Sequence, residues 1–96
     1  MNPVSDMPQF YYVYIIQSKK NHQWYTGYTS DLRKRFRQHN AEEVLSWTKG
    51  RGPFEIIYYE AYRNIKDAQA REKHLKSGPG KRYLKERLKR FLSLMG

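Results

Sequence analysis

One apolar run near the N-terminus constrains the fold more than any other feature of the sequence. Residues 10–17 read FYYVYIIQ and are rich in aromatic and β-branched side chains. A continuous run of this kind is typical of a strand covered on both faces, so we predict a strand at the centre of its sheet. A polar loop, SKKNHQ at 18–23, separates it from a second run, WYTGY at 24–28. Because that loop is too short for a crossover, the two strands are expected to form an antiparallel hairpin.

The remaining segments predict three helices and one more strand. Thr29, Ser30 and Asp31 supply N-cap chemistry for a helix over 31–40, and Asn64 caps a second helix that runs to about Lys76. The sequence SGPG at 77–80 is expected to end that helix, since glycine can take the left-handed position and proline cannot continue. The third strand is predicted over 54–62 and the third helix over about 81–92.

The predicted order is therefore β-β-α-β-α-α, one α/β domain with a three-stranded sheet and flanking helices. We expect this domain to span 10–96, preceded by a loose tail over 1–9, which contains two prolines and little apolar content. A chain of 96 residues fits one domain. The absence of cysteine excludes disulfides, thiolate metal sites and cysteine nucleophiles. With no membrane-spanning run and no signal-like segment, a cytoplasmic protein without a membrane partner is expected.

The charge of the chain is strongly positive and uneven. The formal net charge is +10, and residues 49–96 carry thirteen Lys and Arg against five Asp and Glu. Such an excess favours a polyanionic partner, meaning nucleic acid or, less often, an anionic membrane. A basic but inert solvated surface is the alternative.

Glu72 stands where an apolar residue would be expected. On the second predicted helix it lies seven residues after Ile65, on the same face as Ala68 and Leu75. A carboxylate on the core side is costly unless it is paired or holds a cation. It could form a structural salt bridge or reach water at the edge of the stripe. The functional alternative is a carboxylate that holds Mg²⁺, which commonly uses only one or two protein carboxylates.

Two more polar residues lie beside the apolar stripe of the first predicted helix. Arg35 follows Leu32 by three residues, and His39 follows Phe36 by three, so they are one turn apart. They could simply lie at the margin of the stripe, with the arginine head in water. Alternatively they form a pair aimed at a phosphate, which the planar guanidinium suits.

Tyrosines crowd the predicted hairpin. Tyr12 and Tyr14 share one face of the first strand, and Tyr25 on the second strand could be a near neighbour of Tyr14. Most buried tyrosines are core residues with a satisfied hydroxyl. Two tyrosines on facing strands, together with Arg35, His39 and Glu72, indicate a polar centre.

At this point the sequence resembles the GIY-YIG nuclease superfamily, over about 10–92. Tyr12-Val13-Tyr14 stands at the first motif and Tyr25-Thr26-Gly27 at the second, although Tyr12 replaces a glycine and Thr26 the middle residue. Arg35 matches the family's catalytic arginine, and His39 falls where members carry His or Tyr. Glu72 looks like the metal-binding glutamate. The small stand-alone bacterial branch is the most similar, and the excision-repair incision subunit's nuclease domain belongs to the same superfamily.

The resemblance implies an endonuclease that hydrolyses phosphodiester bonds, with DNA as the expected substrate and repair or recombination as a setting. Because a domain this small has little surface for reading a base sequence, we expect structure-selective or low-specificity action. Glu72 would hold a single Mg²⁺ or Mn²⁺ ion, and Arg35 would neutralise phosphoryl charge. Tyr14, supported by Tyr25, is the leading candidate to orient or deprotonate water, and His39 is the rival base. The sequence does not choose between them.

Exposed cations are expected to contact the nucleic-acid backbone non-specifically. The candidates are Lys49, Arg51, Lys81, Arg82 and Lys85. Trp47 could stack on a base or anchor its loop. Two rival functions stay open: a catalytically inactive nucleic-acid-binding module of the same fold, and a module that binds an acidic protein partner. A protein partner could also target the nuclease.

Overall fold

The computed structural model describes residues 8–41 and 48–95. Most of the predicted tail (1–7) and Trp47 lie outside the described residues. Three strands form one antiparallel sheet in the order β2-β1-β3, with β1 at Tyr11–Ser18, β2 at Trp24–Thr29 and β3 at Phe54–Tyr62. The central position of the apolar strand and the antiparallel hairpin are both confirmed.

Four helices accompany the sheet: α1 at Leu32–Asn40, α2 at Ile65–Lys76, α3 at Gly78–Arg87 and α4 at Lys89–Ser93. Asp31 caps α1 by accepting from the Lys34 amide, and Asn64 caps α2 by accepting from the Lys66 amide. The six predicted elements are present in the predicted order. A short fourth helix follows, because the backbone departs from helical geometry at Leu88.

The segment SGPG follows the end of α2 at Lys76 as predicted, but the predicted start of the third helix at about Lys81 was wrong, because α3 already begins at Gly78. Ser77 is the N-cap of α3, and its hydroxyl accepts from the Gly80 amide at 3.2 Å. Pro79 is tolerated because a first-turn residue needs no amide hydrogen. A Cβ at Gly80 would lie 2.0 Å from the carbonyl oxygen of His74. The glycine therefore allows α3 to start in direct contact with the end of α2.

Helices pack on both faces of the sheet, so β1 is buried from Val13 to Ser18, while Tyr11 and Tyr12 at its start are partly exposed. On one face Tyr14, Ile16 and Phe54 pack with residues of α1. On the other face a second cluster packs against α2 and α3; its buried members are Val13, Ile15, Ala68, Leu75 and Leu84. The sheet thus separates two apolar layers, and the edge of β2 is the place where residues from both layers meet.

A β-bulge in β3 sets which side chains face each layer. Ile15 pairs with Tyr58 and Ile16 with Ile56, so Ile57 is an extra residue in β3. As a result Ile57 and Tyr58 both pack in the α2–α3 layer. Beyond the bulge, the alternation of side chains between the two faces of the sheet is shifted by one residue, so Tyr59 faces the α1 side.

A carboxylate on β3 is enclosed by polar partners in the α2–α3 layer. Glu60 receives two hydrogen bonds from the Arg71 guanidinium, from Nε at 2.8 Å and from Nη2 at 2.9 Å. Tyr58 and Tyr62 donate their hydroxyls to the same carboxylate. Burial opposes ionisation of Glu60 and by itself would raise its pKa. The hydrogen bonds from Arg71, Tyr58 and Tyr62 together outweigh this effect and lower the pKa to about 2. Glu60 is therefore an ionised carboxylate whose two oxygens both accept hydrogen bonds, and its role is structural.

Candidate active site

Gly27 gives Tyr14 its position at the edge of the sheet. The two residues are register partners on β1 and β2. A Cβ at residue 27 would lie 2.5 Å from Tyr14 Oη, so the tyrosine ring occupies the space that a side chain would fill. A glycine within a strand often marks such a close approach. The phenol of Tyr14 therefore extends across β2 toward the outer edge while its ring stays in the core.

A cleft of about 720 Å³ lies at this edge, between the hairpin, α1 and the α2–α3 pair. Residues from all of these elements line it, and its charged and phenolic members are Tyr14, Tyr25, Arg35, Glu72, Lys76 and Lys81, together with Tyr11 and Tyr28. Among the described residues Glu72 is the only carboxylate in this lining. The structure therefore brings four of the five predicted catalytic side chains to one cleft that is rich in cations.

The fifth predicted residue, His39, reaches the cleft through Tyr14. Its Nε2 lies 2.9 Å from Tyr14 Oη, and its Nδ1 lies 3.1 Å from Thr48 Oγ1. The imidazole is fully buried, so His39 lies within the core rather than at the margin of the apolar stripe. Burial, with help from the Arg35 charge, lowers the pKa of His39 to about 4. The ring is neutral at pH 7.

Tyr14 is also held in its neutral form. Its side chain is 1% exposed, and this burial raises the pKa of the phenol to about 12, although the neighbouring Arg35 acts in the opposite direction. When the imidazole proton resides on Nδ1, it is donated to Thr48 and Nε2 accepts the proton of Tyr14. The phenol oxygen can then accept a hydrogen bond on its cleft side, where the Arg35 guanidinium is close enough to act on its pKa.

Glu72 faces the cleft from α2, and its carboxylate forms one ion pair among the described residues. Its side chain is 20% exposed, and Lys76 Nζ lies 3.4 Å from its Oε2, one helical turn away. A half-exposed pair of this geometry contributes little to stability. Both interpretations of Glu72 thus have a structural counterpart, an ion pair and a carboxylate that borders an open cleft. Within residues 8–41 and 48–95, no group of three or more His, Cys, Asp or Glu side chains could hold a metal.

Tyr25 is a diagonal neighbour of Tyr14 across the hairpin. Its register partner is Ile16, whereas Tyr14 faces Gly27. The ring packs edge-on against Phe54 with centroids 5.6 Å apart, and the hydroxyl donates to Gln23 Oε1 at 3.1 Å. Tyr25 therefore combines a core contact with a place in the lining of the cleft.

The predicted backbone-binding cations fall into two groups. Lys81 lines the cleft, and Lys85 joins it in an adjoining groove beside His22 and Trp24. Arg82 is exposed on the first turns of α3, where its guanidinium lies over Gly78. Lys49 and Arg51 are exposed on the loop that packs against the hairpin turn, where Ser18 Oγ donates to the Arg51 carbonyl at 2.6 Å. Only Lys81 is brought to the cleft itself.

Sequence reasoning did not single out three residues of this site. Gly27 was interpreted only as part of a motif, although an isolated glycine inside a strand is a signal for close backbone approach. Lys76 follows Glu72 by four residues on α2, a spacing that predicts contact. Thr48, which meets His39 Nδ1, carries no signal of its own in the sequence.

Comparison with known proteins assigns the class. Residues 10–85 match the model of the GIY-YIG catalytic domain, and the chain belongs to this family of nuclease domains. The matched segment contains β1 to most of α3 and hence every residue of the cleft.

The chain is similar to small proteins named UPF0213 in bacteria and archaea. It is 38% identical to one from Haloquadratum walsbyi over 74% of this chain and 79% of that protein. It is 42% identical to one from Clostridium perfringens, over 68% and 69%. A solution NMR structure of the UPF0213 protein from Bacillus halodurans is 35% identical, covers 78% of this chain and 81% of its own, and gives a TM-score of 0.49. The shared name specifies no substrate, metal or pathway.

The helices of the described residues give no candidate for crossing a bilayer, since none combines the required length with sufficient hydrophobicity. The cytoplasmic location and the absence of a membrane partner stay predictions.

Proposed function

We propose that this protein is a divalent-metal-dependent endonuclease that hydrolyses phosphodiester bonds of DNA, with low sequence specificity or with selectivity for DNA structure, in repair or recombination. The observation that carries the proposal is the convergence of Glu72, Arg35 and Tyr14 on one open cleft. A carboxylate, a guanidinium and a phenol from three different elements meet there, although they are far apart in the sequence. Membership of a nuclease domain family supports the same reaction type.

The donor set of the cleft fits Mg²⁺ or Mn²⁺. These ions prefer oxygen ligands and commonly retain several waters, so that one carboxylate and the substrate phosphate can suffice. A zinc site would need three or four protein ligands. Glu72 would hold a single ion, which when bound would supply a Lewis acid for a phosphate oxygen and for the departing oxygen.

Arg35 would neutralise the charge that builds on the phosphoryl group. Its guanidinium lies close enough to Tyr14 to oppose the rise in the phenol's pKa, so it is directed at the same end of the cleft. Lys81 and Lys76 add positive charge to the wall opposite. A cleft of this sign attracts the phosphate backbone before any chemistry takes place.

Tyr14 would orient the attacking water rather than act as a pre-formed phenolate. With a pKa of about 12 it stays protonated at neutral pH, and its proton can be directed to His39 Nε2. The phenol oxygen can then accept a hydrogen bond from water in the cleft. His39 would serve as a positioning residue that fixes the phenol by accepting its hydrogen bond, because His39 does not itself line the cleft.

Cleavage assays with purified protein test this proposal. Supercoiled, branched and flapped DNA are incubated with Mg²⁺, with Mn²⁺ or with EDTA, and binding is measured in parallel. We expect metal-stimulated nicking that disappears in Glu72→Ala and Arg35→Ala while binding persists. Glu86→Ala is the matched control, since Glu86 is a helical carboxylate that pairs with Lys89 at 3.1 Å on the exposed surface.

Failure would take one of two recognisable forms. Salt-sensitive binding without cleavage on any substrate would identify an inactive nucleic-acid-binding module. No affinity for DNA at moderate salt would instead point to a module that recognises an acidic protein.

A further inference from the structure

Helix α1 leaves one end of its sheet face uncovered, and two tyrosines occupy that end. Tyr12 on β1 and Tyr59 on β3 are diagonal neighbours, since Tyr12 pairs with Ala61. Their rings meet edge to face with centroids 6.0 Å apart. Tyr59 is 57% exposed, the largest exposure of any aromatic residue that the structure describes. A ring so exposed and yet fixed by a neighbouring ring offers a flat π surface to a ligand.

The tyrosines form the floor of a groove of about 570 Å³, which we call the tyrosine groove. Its wall is α1, and its lining includes Tyr12, Tyr59, Arg33, Arg37 and Ser30. Ser30 also lines the candidate active cleft. The tyrosine groove and the cleft therefore adjoin at the β2–α1 junction, on one continuous surface.

The charge of the tyrosine groove favours an anion. Arg33 and Arg37 lie one turn apart on α1 and are exposed. Among residues 8–41 and 48–95 neither forms an ion pair. Asp31 is the one carboxylate among the described residues of the lining, and its Oδ1 accepts a hydrogen bond from the Lys34 amide as a helix cap. Two guanidiniums and one carboxylate therefore line the part of the groove that the structure describes, which leaves its charge positive.

We infer that the tyrosine groove binds an unpaired stretch of the DNA strand whose backbone enters the adjoining cleft. This inference rests on the proposed function and adds a substrate class to it, namely DNA in which single-stranded and duplex segments meet. Bases of an unpaired strand would stack on Tyr59, and their phosphates would contact Arg33 and Arg37.

The side chains of the tyrosine groove should bind an unpaired strand in preference to a duplex. Aromatic side chains bind nucleotides by stacking on the base plane, which is available only when the base is not stacked inside a helix. Arginine supplies both phosphate contacts and positive charge along the backbone. Tyr12 and Tyr59 together supply the aromatic floor on which a base could stack.

Binding measurements that avoid cleavage test the inference. Glu72→Ala protein in EDTA is titrated against a forked DNA and a blunt duplex of equal length, with 2-aminopurine in the unpaired arm. We expect Tyr59→Ala to weaken fork binding at least about fivefold, the loss that corresponds to one base stack, and duplex binding by less than about twofold. Quenching of 2-aminopurine should disappear as well. Tyr59→Phe keeps the ring and should behave like the parent.

A second variant tests the role of the two arginines independently. Replacing Arg33 and Arg37 by Gln should reduce the salt dependence of fork binding, by a slope of about 0.7 for each phosphate that the protein no longer neutralises. Circular dichroism checks that each variant is folded, which the exposure of all three side chains favours.

The outcomes separate this inference from the proposed function. If the parent protein cuts DNA but Tyr59→Ala leaves the preference for forks unchanged, the inference is overturned and the nuclease stands. If no DNA is cut while the fork preference still depends on Tyr59, the nuclease is overturned and the strand-binding groove stands. A change of self-association in Tyr59→Ala, without any effect on DNA, would overturn the inference and mean that the tyrosine groove contacts another copy of the chain.

Discussion

Two partly buried carboxylates, Glu60 and Glu72, show how differently the same group can be used within one small domain. Their side chains are 16% and 20% exposed; Glu60 lies on β3 and contacts α2 through Arg71, and Glu72 lies on α2 itself. Glu60 receives a bidentate guanidinium and two phenols, whereas Glu72 has one ammonium at 3.4 Å. A carboxylate has about four lone-pair sites. Those of Glu60 are occupied, and those of Glu72 are largely available to a ligand.

The consecutive residues Arg71 and Glu72 join these two regions. They differ by one position on α2 and so by about 100° around the helix axis. Arg71 points to the closed cluster, where its guanidinium also lies 4.8 Å from the centre of the Tyr83 ring. Glu72 points to the open cleft. The comparison indicates that partner number, more than burial, separates a structural carboxylate from one that can bind a cation.

The largest expected effect is on activity at the open site. Glu72→Gln should reduce metal-stimulated cleavage at least about a hundredfold, since a bound ion supplies several kcal/mol to the reaction. Its free energy of unfolding should change by less than about 1 kcal/mol, because the side chain has a single weak ion pair. Urea unfolding and single-turnover cleavage measure the two quantities. A variant that loses both stability and activity would show that Glu72 is structural.

The reciprocal result is expected at the closed site. Glu60→Gln should lower the free energy of unfolding by about 2–3 kcal/mol, because Arg71 would then be left without its anionic partner. Cleavage by the folded protein should stay within about threefold of the parent. The comparison would break if Glu60→Gln abolished cleavage while leaving the urea midpoint unchanged.

The two regions should lose stability in two different ranges of acid pH, which we call their windows. The pKa of His39 falls from 6.5 to about 4 on folding, so the unfolded chain binds the proton first and stability decreases as pH drops from 6.5 to 4. The pKa of Glu60 falls from 4.5 to about 2, so its contribution is complete above 4.5 and is lost as pH drops toward 2. Each window should remove on the order of 3 kcal/mol.

Stability measured against pH in two variants assigns these windows. His39→Gln should flatten the decline between pH 6.5 and 4 and leave the lower one, whereas Glu60→Gln should do the opposite. A variant that flattened the other residue's window would refute the assignment.

The smallest expected effect concerns the ion pair at the cleft. Lys76→Met should change stability by less than about 0.5 kcal/mol, as is typical of exposed helical pairs. Removing the ammonium should strengthen Mn²⁺ binding a fewfold, since Glu72 then has no competing cation. Calorimetric titration with Mn²⁺ tests this, and Lys73→Met, an exposed lysine in the same helix, is the control. Weaker binding in Lys76→Met would show that the lysine helps to build the site.

Much of the fold followed from local patterns. The third strand was predicted over 54–62 and is observed there, and the caps at Asp31 and Asn64 act as expected. Such features depend on hydrogen bonds and side-chain periodicity within a few residues. The start of α3 was mispredicted because its glycine serves contact with α2, which local preferences of Gly and Pro cannot reveal.

The site was predictable as a set of residues but not as an arrangement. Tyr14, Tyr25, Arg35, His39 and Glu72 could be named from spacing and resemblance. Their partners could not: the Tyr14–His39 contact joins residues 25 apart, and the His39–Thr48 contact joins residues 9 apart. The roles of these side chains in catalysis stay proposals.

The sequence by itself determined the central strand, the hairpin and the helices, because runs of apolar residues and caps act through neighbours along the chain. Tertiary structure alone decided that Tyr14 extends over Gly27, that the bulge turns Tyr59 toward α1, and that Glu60 is enclosed while Glu72 is open. The physical reason is that polar saturation and close approach depend on atoms contributed by distant segments. Only the packed chain fixes where those atoms meet.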